Sequence, residues 1–585
     1  MDPRSPAFEN EAMFDDFDMA FDDAFEGAFA NAAALAARDD DYPTLSPIPP
    51  IMTWAQEQGP RTYEPVKVYS AFAEAVSQCQ YPVRMLIAGA RGPLDRAMKD
   101  PPLQAATNRD NICTNTRYHL RSSVFPIERH SLTGWSMAGV LQRVEDAGFS
   151  LSLPLDASPS DGNVPEPHQV DAVQFCIAYD PASDDCEFTN SSAINISLES
   201  LGIANKHVGL AAHRSRCIGP GLWRISAGAM HLADFLLREK QFAVSVVSAQ
   251  PSDLSLWPRI PVTAVPTLAT SEPSQQYLSL LDLAAGTSVL VRSGPSNTNN
   301  DTPTTAIDYR LDLMEEVSST ATSRFFICKH SNTPALVVAK ILKEPHGAMK
   351  SGRLLALQLA WKKEVALLLH LNHNKNFVNL FGFDGRLHVL YFEFLPNAVQ
   401  PQIPLSRGDC MATMRDLCSA LAYLRLEGVV HNNINPANIV FVPGRGSLLR
   451  GLEHATPQGK KSNRGMWAYF PPEFRTGGNR DHAGDVWAVA VTMLRLSGLL
   501  REPPSSLAED STLPVLNDEH RDRRLRIQFD SWMRAIKAVV SSLSKEDKFH
   551  EALAKALCRN PEERSDAYTI FIMLESALNG PEIQG

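Results

Sequence analysis

The spacing of apolar residues changes along the chain, and each change predicts a different kind of structure. Near the N-terminus five phenylalanines recur every three or four residues with aspartates between them, which predicts an amphipathic helix; they are Phe14, Phe17, Phe21, Phe25 and Phe29. Helical spacing also runs over residues 66–76 and over Gly134–Phe149, a segment that predicts a second amphipathic helix ending near Gly148. We therefore expect a mixed helical region over residues 61–160.

From residue 170 to 249 the apolar residues alternate in short runs separated by turn signals. Six such runs, at intervals of about 8 to 12 residues, favour a small β-sandwich or barrel; their sequences are AVQFCIAYD, CEFTN, AINISL, LWRIS, ADFLLRE and FAVSVVSA. We expect a β-rich module over residues 165–250. Residues 251–306 are rich in Pro, Ser, Thr and Asn, which predicts a linker.

Composition is typical of a globular protein, with 44% apolar and 21% charged residues among 585. The nine cysteines form no C-x-x-C pair, so we expect no structural zinc site, no haem and no disulfide framework. The N-terminus lacks the basic start and apolar block of an export signal, and no apolar run approaches the length of a membrane span. These features favour a cytoplasmic or nuclear protein.

The net charge of −11 is concentrated at the N-terminus, where residues 1–41 hold twelve acidic residues and two arginines. The remaining 544 residues sum to −1, so no nucleic-acid partner is expected. For residues 1–60 we therefore expect an acidic, aromatic, largely disordered tail followed by a proline-rich linker. Its phenylalanine stripe could order in the groove of a protein partner, as activation segments do, pack on the protein's own body, or serve only as a solubilising tail.

The C-terminal half carries seven segments whose order and spacing resemble a eukaryotic protein kinase catalytic domain. They are LVVAKIL from residue 336, WKKEVALLLHLNHNKNFVNLFGF from 361, YFEFLP from 391, VVHNNINPANIVF from 429, GMWAYFPPEF from 465, DVWAVAVTML from 485 and NPEER from 560. We identify residues 307–580 as a kinase-like domain, and the expected fold class is multidomain α+β with a bilobal kinase-like fold at the C-terminal end.

The resemblance implies a role for each matching residue. Lys340 would grip the nucleotide, Glu364 would pair with that lysine, and Asn438 would help to hold nucleotide and metal. The alternative for Lys340 and Glu364 is a pair that only holds the small lobe together. Structural roles are implied for four more residues: His431, Glu473, Asp485 and Arg564.

Several departures from the family pattern bear on catalysis. The position of the catalytic aspartate holds Asn433, an amide without useful basicity, and the loop lysine is replaced by Asn435. The metal-binding aspartate should fall near Gly451, where Glu453 is the nearest carboxylate. Residues 311–329 contain no glycine, so close backbone approach to phosphates should be hindered, although the hydroxyl groups of residues 318–320 could donate hydrogen bonds.

The β-rich module, lying beside a kinase-like region, resembles the forkhead-associated domains found next to some kinases. It lacks their Gly-Arg opening and Asn-Gly phosphopeptide-reading loop, and a β module of another family is the alternative.

Two functions remain open at this point. In the first, the chain is a pseudokinase that acts as a scaffold or allosteric regulator through protein partners. In the second, it is an atypical Ser/Thr protein kinase that uses ATP and Mg²⁺ with Lys340, Glu364, Asn438 and Glu453. Transcriptional regulation through the acidic tail could accompany either one.

Overall fold

The structure is a computed structural model, and it describes residues 83–89, 124–127, 137–154, 172–201, 207–247, 279–293, 307–344, 352–371, 374–396, 404–460, 462, 464–476, 481–508 and 519–579. The chain divides into two units. The first unit lies within residues 1–362 and 382–391, and the second within residues 363–381 and 392–585. The predicted Phe-rich helix and the helical segment 66–76 lie outside the described residues.

A β-sandwich begins the described part of the first unit. Its strands are β1 Val83–Gly89, β2 Val124–Ile127, β3 Met137–Leu141, β4 Gly148–Pro154, β5 Ala172–Tyr179, β6 Cys186–Asn190, β7 Ile196–Ser200, β8 His207–Leu210, β9 Ser215–Ile218, β10 Gly221–Ala227 and β11 Met230–Leu237. One sheet has the order β2-β3-β1-β11-β10-β7-β8, and the smaller one the order β4-β5-β6-β9. Both contribute to a single apolar core, in which Phe188 stacks on Phe175 and on Phe235.

The sandwich corrects the expected helix over Gly134–Phe149, which is wrong. Strands β3 and β4 occupy this stretch, separated by a turn. Strand β3 pairs with β1 on one side and β2 on the other, so its backbone groups are satisfied by neighbours distant in sequence. Such pairing overrides a local helical spacing. The described part of the expected helical region 61–160 is accordingly made of strands and turns rather than helices.

A second sheet in the order β12-β13-β14-β15-β16-β18-β17 forms the kinase-like part of the first unit. Its strands are β12 Phe242–Val247, β13 Ser288–Ser293, β14 Ile307–Ser319, β15 Ser323–His330, β16 Leu336–Leu342, β17 Leu380–Asp384 and β18 Val389–Glu393. Helix α1 spans Arg353–Leu371, and its residues up to Lys362 belong to this unit.

The second sheet includes strands from the expected β-rich module 165–250 and from the expected linker 251–306. The run FAVSVVSA, expected to belong to the β-rich module of residues 165–250, contains β12, which pairs with β13 in the kinase-like sheet. Strand β13 itself lies within the expected linker 251–306 and pairs with β14. A six-residue strand is too short to stand out within a segment of linker-like composition.

The second unit is mainly helical. Its helices are α2 Arg407–Leu426, α3 His482–Leu496, α4 Ser505–Ala508, α5 Glu519–Ser541, α6 Lys548–Ala556 and α7 Ala567–Asn579. Two short two-stranded sheets accompany them: β19 Val429–Val430 pairs with β22 Thr456–Pro457, and β20 Ile439–Val442 forms a hairpin with β21 Gly446–Leu449. Helix α3 is buried from Gly484 to Leu496, so it forms the centre of this unit.

Across the described ranges, none of the helices combines the length and the apolar character that a membrane crossing requires.

A buried ion pair in the first unit generates a stability prediction. Arg386 and Asp384 are 1% and 0% exposed and lie 2.7 Å apart, so Arg386→Met leaves a buried carboxylate without its cation. We expect unfolding in urea to show a loss of about 3–5 kcal/mol. The control is Arg310→Met, since the Arg310 and Asp312 side chains are 45% and 23% exposed and such pairs contribute about 0–1 kcal/mol. Equal losses in the two variants would contradict the expectation.

Candidate functional site

The loop of residues 431–438, between β19 and β20, is held by one carboxylate. Asp485, in the first turn of α3, accepts hydrogen bonds from the backbone N–H groups of His431 at 2.6 Å and Asn432 at 2.9 Å. Asp485 and His431 are 3% and 0% exposed. The ring nitrogen Nε2 of His431 lies 3.2 Å from the carbonyl oxygen of Arg450. The sequence-predicted residues His431 and Asp485 thus meet at the start of this loop.

Asn432 adopts a left-handed backbone conformation, with φ of 65°. Its side-chain amide donates to the carbonyl oxygen of His454 at 3.2 Å and to Oγ1 of Thr456 at 2.8 Å. This position holds arginine in the family motif, and here it carries a short neutral side chain bound to the segment that follows β21.

Asn433 is buried, and its neighbours bind mainly its backbone. Its carbonyl oxygen accepts from Nδ2 of Asn435 at 3.0 Å and from Nδ2 of Asn438 at 2.8 Å. Its side-chain Oδ1 accepts from Asn435 at 3.2 Å. Asn435 also caps the following turn by accepting the N–H of Ala437 at 2.9 Å. The asparagines therefore satisfy one another, and this loop offers neither a carboxylate base nor a cation.

A side chain added at position 451 would meet the amide of Asn438. Gly451 has φ of 82°, and a Cβ placed there would lie 2.4 Å from Oδ1 of Asn438. The amide of Asn438 thus occupies the space that an aspartate at this position would need. Glu453 lies two residues further on, in the short turn Leu452–His454.

The residues at this place do not fit Mg²⁺, which proteins bind through carboxylates. The available donor beside Gly451 is the amide oxygen of Asn438. Arg450 follows β21, and its guanidinium donates to the carbonyl oxygen of Ala437 at 3.0 Å. Burial lowers the pKa of Arg450, and the negative charge of Glu453 offsets this lowering only in part. Within the described ranges, no group of three or more His, Cys, Asp or Glu side chains is arranged to bind a metal.

The structure places Lys340 in β16 of the first unit, 6% exposed, with its ammonium 5.9 Å from the centre of the Phe325 ring. Glu364 lies in α1, within the second unit, and is 5% exposed.

The tip of the hairpin β14–β15 stands where the family has a glycine-rich loop. The strands pair as far as Ser319 and Arg324, which leaves a tight turn. The Nζ of Lys343 donates to Oγ of Ser319 at 2.7 Å and to the carbonyl oxygen of Thr320 at 2.6 Å. Thr320 Oγ1 accepts the N–H of Ser323 at 3.1 Å. These groups, among those expected to reach phosphates, are thus engaged within the hairpin.

Sequence reasoning missed Lys343 and Arg324 at this hairpin. Arg324 donates to the carbonyl oxygen of Leu283 at 3.0 Å and pairs with Glu316 at 2.7 Å. In the sequence each of these cations looks like an ordinary surface residue, because folding brings its partners close: a carboxylate and carbonyl oxygens for Arg324, a hydroxyl group and a carbonyl oxygen for Lys343.

Glu473 and Arg564 form a bidentate pair at 2.8 and 2.9 Å in the second unit. The same guanidinium donates to the carbonyl oxygens of Ala483 at 2.8 Å and Cys558 at 2.9 Å. This arginine therefore joins three segments of the unit, the start of α3 among them.

Comparison with known proteins gives a consistent picture. The sequence pattern of the protein kinase domain matches residues 312–573. The Aurora/IPL1-related protein kinase 2 of Caenorhabditis elegans is 27% identical over 154 residues, 24% of this chain and 49% of that protein. The serine/threonine-protein kinase pkn3 of Myxococcus xanthus is 25% identical over 221 residues, 34% of this chain and 39% of that protein. The chain thus spans half or less of the length of these relatives.

Alanine substitutions at two glycines test whether the Asn438 amide fills the space beside Gly451. Gly451→Ala and Gly459→Ala both place a side chain at positive φ, 82° and 88°, which costs about 1–2 kcal/mol. Only Gly451 has a neighbour within 4 Å of the added Cβ, so Gly451→Ala should lose a further ~1–3 kcal/mol through overpacking. Urea denaturation measures the difference, and equal losses would show that Asn438 does not fill this space.

Proposed function

We propose that this chain, whose residues 312–573 belong to the eukaryotic protein kinase superfamily, is a pseudokinase that works by binding other proteins. Protein kinase domains in general bind ATP and Mg²⁺. The observation that carries the proposal is at Gly451, where the family has a metal-binding aspartate and where here a Cβ would lie 2.4 Å from Oδ1 of Asn438.

The loop supports the same proposal. Phosphoryl transfer needs a group that accepts or orients the proton of the substrate hydroxyl, and kinases use an aspartate. Asn433 has no useful basicity. Asn435, in place of the loop lysine, uses its amide to cap a turn and to bind Asn433, so it supplies no positive charge to a phosphate.

The hairpin of the first unit adds an independent argument. In the family, backbone amides of a glycine-rich loop cover the phosphates. Here the tip is a tight turn fastened by Lys343, and Ser319 and Thr320 are bonded to it. This arrangement leaves the turn poorly suited to wrap a triphosphate.

The absence of these groups should strongly lower the rate of phosphoryl transfer. Stabilisation of developing charge provides most of the catalysis in phosphoryl transfer, and each ~1.4 kcal/mol of barrier is a tenfold change in rate. Without the base, the loop cation and the metal carboxylate, the rate should fall by several factors of ten, although losses at one site are not additive. We therefore favour protein binding as the function over transfer by an atypical Ser/Thr kinase.

Transfer of labelled γ-phosphate from Mg-ATP tests the proposal directly. The purified full-length chain is incubated with a generic protein substrate, and incorporation into the substrate and into the chain itself is measured. We expect no signal above that of Lys340→Ala, because base and metal carboxylate are both missing. The variant Asn433→Asp should remain equally silent, since it restores only the base. A wild-type signal that disappears in Lys340→Ala would overturn the proposal in favour of an atypical kinase.

The loop of residues 431–438 should tolerate loss of the Asn433 side chain, at the position of the family's catalytic aspartate. Asn433→Ala removes one hydrogen bond of 3.2 Å and keeps the backbone carbonyl that Asn435 and Asn438 bind, so we expect a loss below about 1 kcal/mol. Asn435→Ala removes a turn cap and should cost about 1–2 kcal/mol. Thermal unfolding compares the two, and a larger loss for Asn433→Ala would indicate that its side chain organises the loop.

A further inference from the structure

The outer face of the smaller sandwich sheet is unusual for a surface of its kind. Solvent-facing sides of antiparallel sheets are normally polar. Here Gly148, Ala178 and Glu187 lie in one row across strands β4, β5 and β6, because Gly148 pairs with Ala178 and Ala178 with Glu187. Ala178 is 0% exposed and Glu187 is 1% exposed. A row of two small residues and a buried carboxylate calls for a partner element.

That element is the first half of helix α1, within the same unit. Cys176 and Ala178 of β5 form an apolar cluster with Leu354, Leu355 and Leu359 of the helix. The side chains of Phe175 and Ile177 in the same strand enter the sandwich core instead, as expected for alternating directions. Strand β5 therefore serves the sandwich with one face and the helix with the other.

Glu187 binds the N-terminal end of this helix. Its carboxylate accepts the N–H of Leu355 at 2.9 Å and also the N–H of Gly352. The first N–H groups of a helix have no partner within the helix, and a negative charge there is favourable. A residue of the sandwich thus caps the start of a helix although it lies 165 residues before Gly352 in the chain.

The contact extends for three turns. Lys362 donates from Nζ to the carbonyl oxygen of Gly148 at 3.0 Å. A Cβ at Gly148 would lie 2.5 Å from Oε1 of Gln358, so the helix side chain packs directly on the strand backbone. Because Leu355, Leu359 and Lys362 fall on one helical face, the whole face is covered by the sandwich.

The opposite side of the helix is held by the kinase-like sheet. Trp361 is 0% exposed, and its indole N–H donates to the carbonyl oxygen of Val389 at 3.3 Å. The kinase-like sheet also binds the sandwich directly, since the N–H of Gly385, in the turn after β17, donates to the carbonyl oxygen of Val144, in the turn between β3 and β4, at 2.6 Å. The first three turns of α1 thus lie between the sandwich and the kinase-like sheet and form hydrogen bonds with both.

We propose that the β-sandwich is a built-in brace for helix α1, and that Glu187 is the residue that positions the start of this helix. In kinases the position of the corresponding helix is a point of control. In this chain the contacts with the sandwich set the position of the helix, whether or not the chain transfers phosphate.

Hydrogen exchange of the full-length chain tests the brace. In Glu187→Gln and Glu187→Ala, we expect amide exchange in peptides from residues 352–362 to increase at least about tenfold for alanine and less for glutamine. Peptides from β10 and β11 should stay within about twofold of the wild type. The matched control Glu199→Gln, on β7 of the other sheet, should leave exchange in residues 352–362 unchanged.

A second variant separates bracing from folding of the sandwich. Ala178→Lys leaves the inward side of β5 intact, and its lysine would reach water once the helix is displaced. It should therefore raise exchange in residues 352–362 while β10 and β11 stay protected. Unchanged exchange in residues 352–362 in both Glu187→Ala and Ala178→Lys, or an equal rise in β10 and β11, would overturn the proposal.

Discussion

The two hydrogen bonds that the Asp485 carboxylate accepts from His431 and Asn432 determine the path of the loop on which the site depends. A buried carboxylate at the start of a helix is stabilised by the N–H groups around it. Because these bonds involve the backbone of the loop, they do not depend on which side chains the loop carries. The path of the loop therefore does not require the charged side chains of the family motif.

The loop carries neutral residues at all the positions where the family motif has charged ones. A buried charge without a partner is costly, so replacing only one charged residue of a pair would leave the other uncompensated. Here Asn432, Asn433, Asn435 and Asn438 are all neutral, and each side chain has hydrogen-bond partners among the loop and its neighbours. The Asn438 amide, which lies 2.4 Å from the position of a Cβ at Gly451, is neutral as well.

The sequence identified the kinase-like region because its motifs have a fixed order and spacing, and the residues that lock its architecture could be named from those motifs. Glu473, Arg564, Asp485 and His431 were named in this way, as were the departures at Asn433, Asn435 and Gly451. The contacts that surround these positions were not visible, since they depend on distances between residues far apart in the chain. Examples are the approach of Asn438 to Gly451 and of Lys343 to the hairpin tip. Local spacing was also misleading over Gly134–Phe149, where long-range pairing gave strands instead of a helix.

The junction between the sandwich and the kinase-like sheet explains why the module cannot be regarded as an appended domain on a flexible tether. Strand β11 ends at Leu237 and β12 begins at Phe242, so four residues connect the two sheets. Within that connection Lys240 and Gln241 are buried, and the N–H of Gln241 donates to the side chain of Gln142 at 2.8 Å. A short, bonded connection restricts rotation, and the helix packed across the outer face restricts it further. A ligand or partner that altered the sandwich would therefore act on the kinase-like sheet through rigid contacts rather than through a linker.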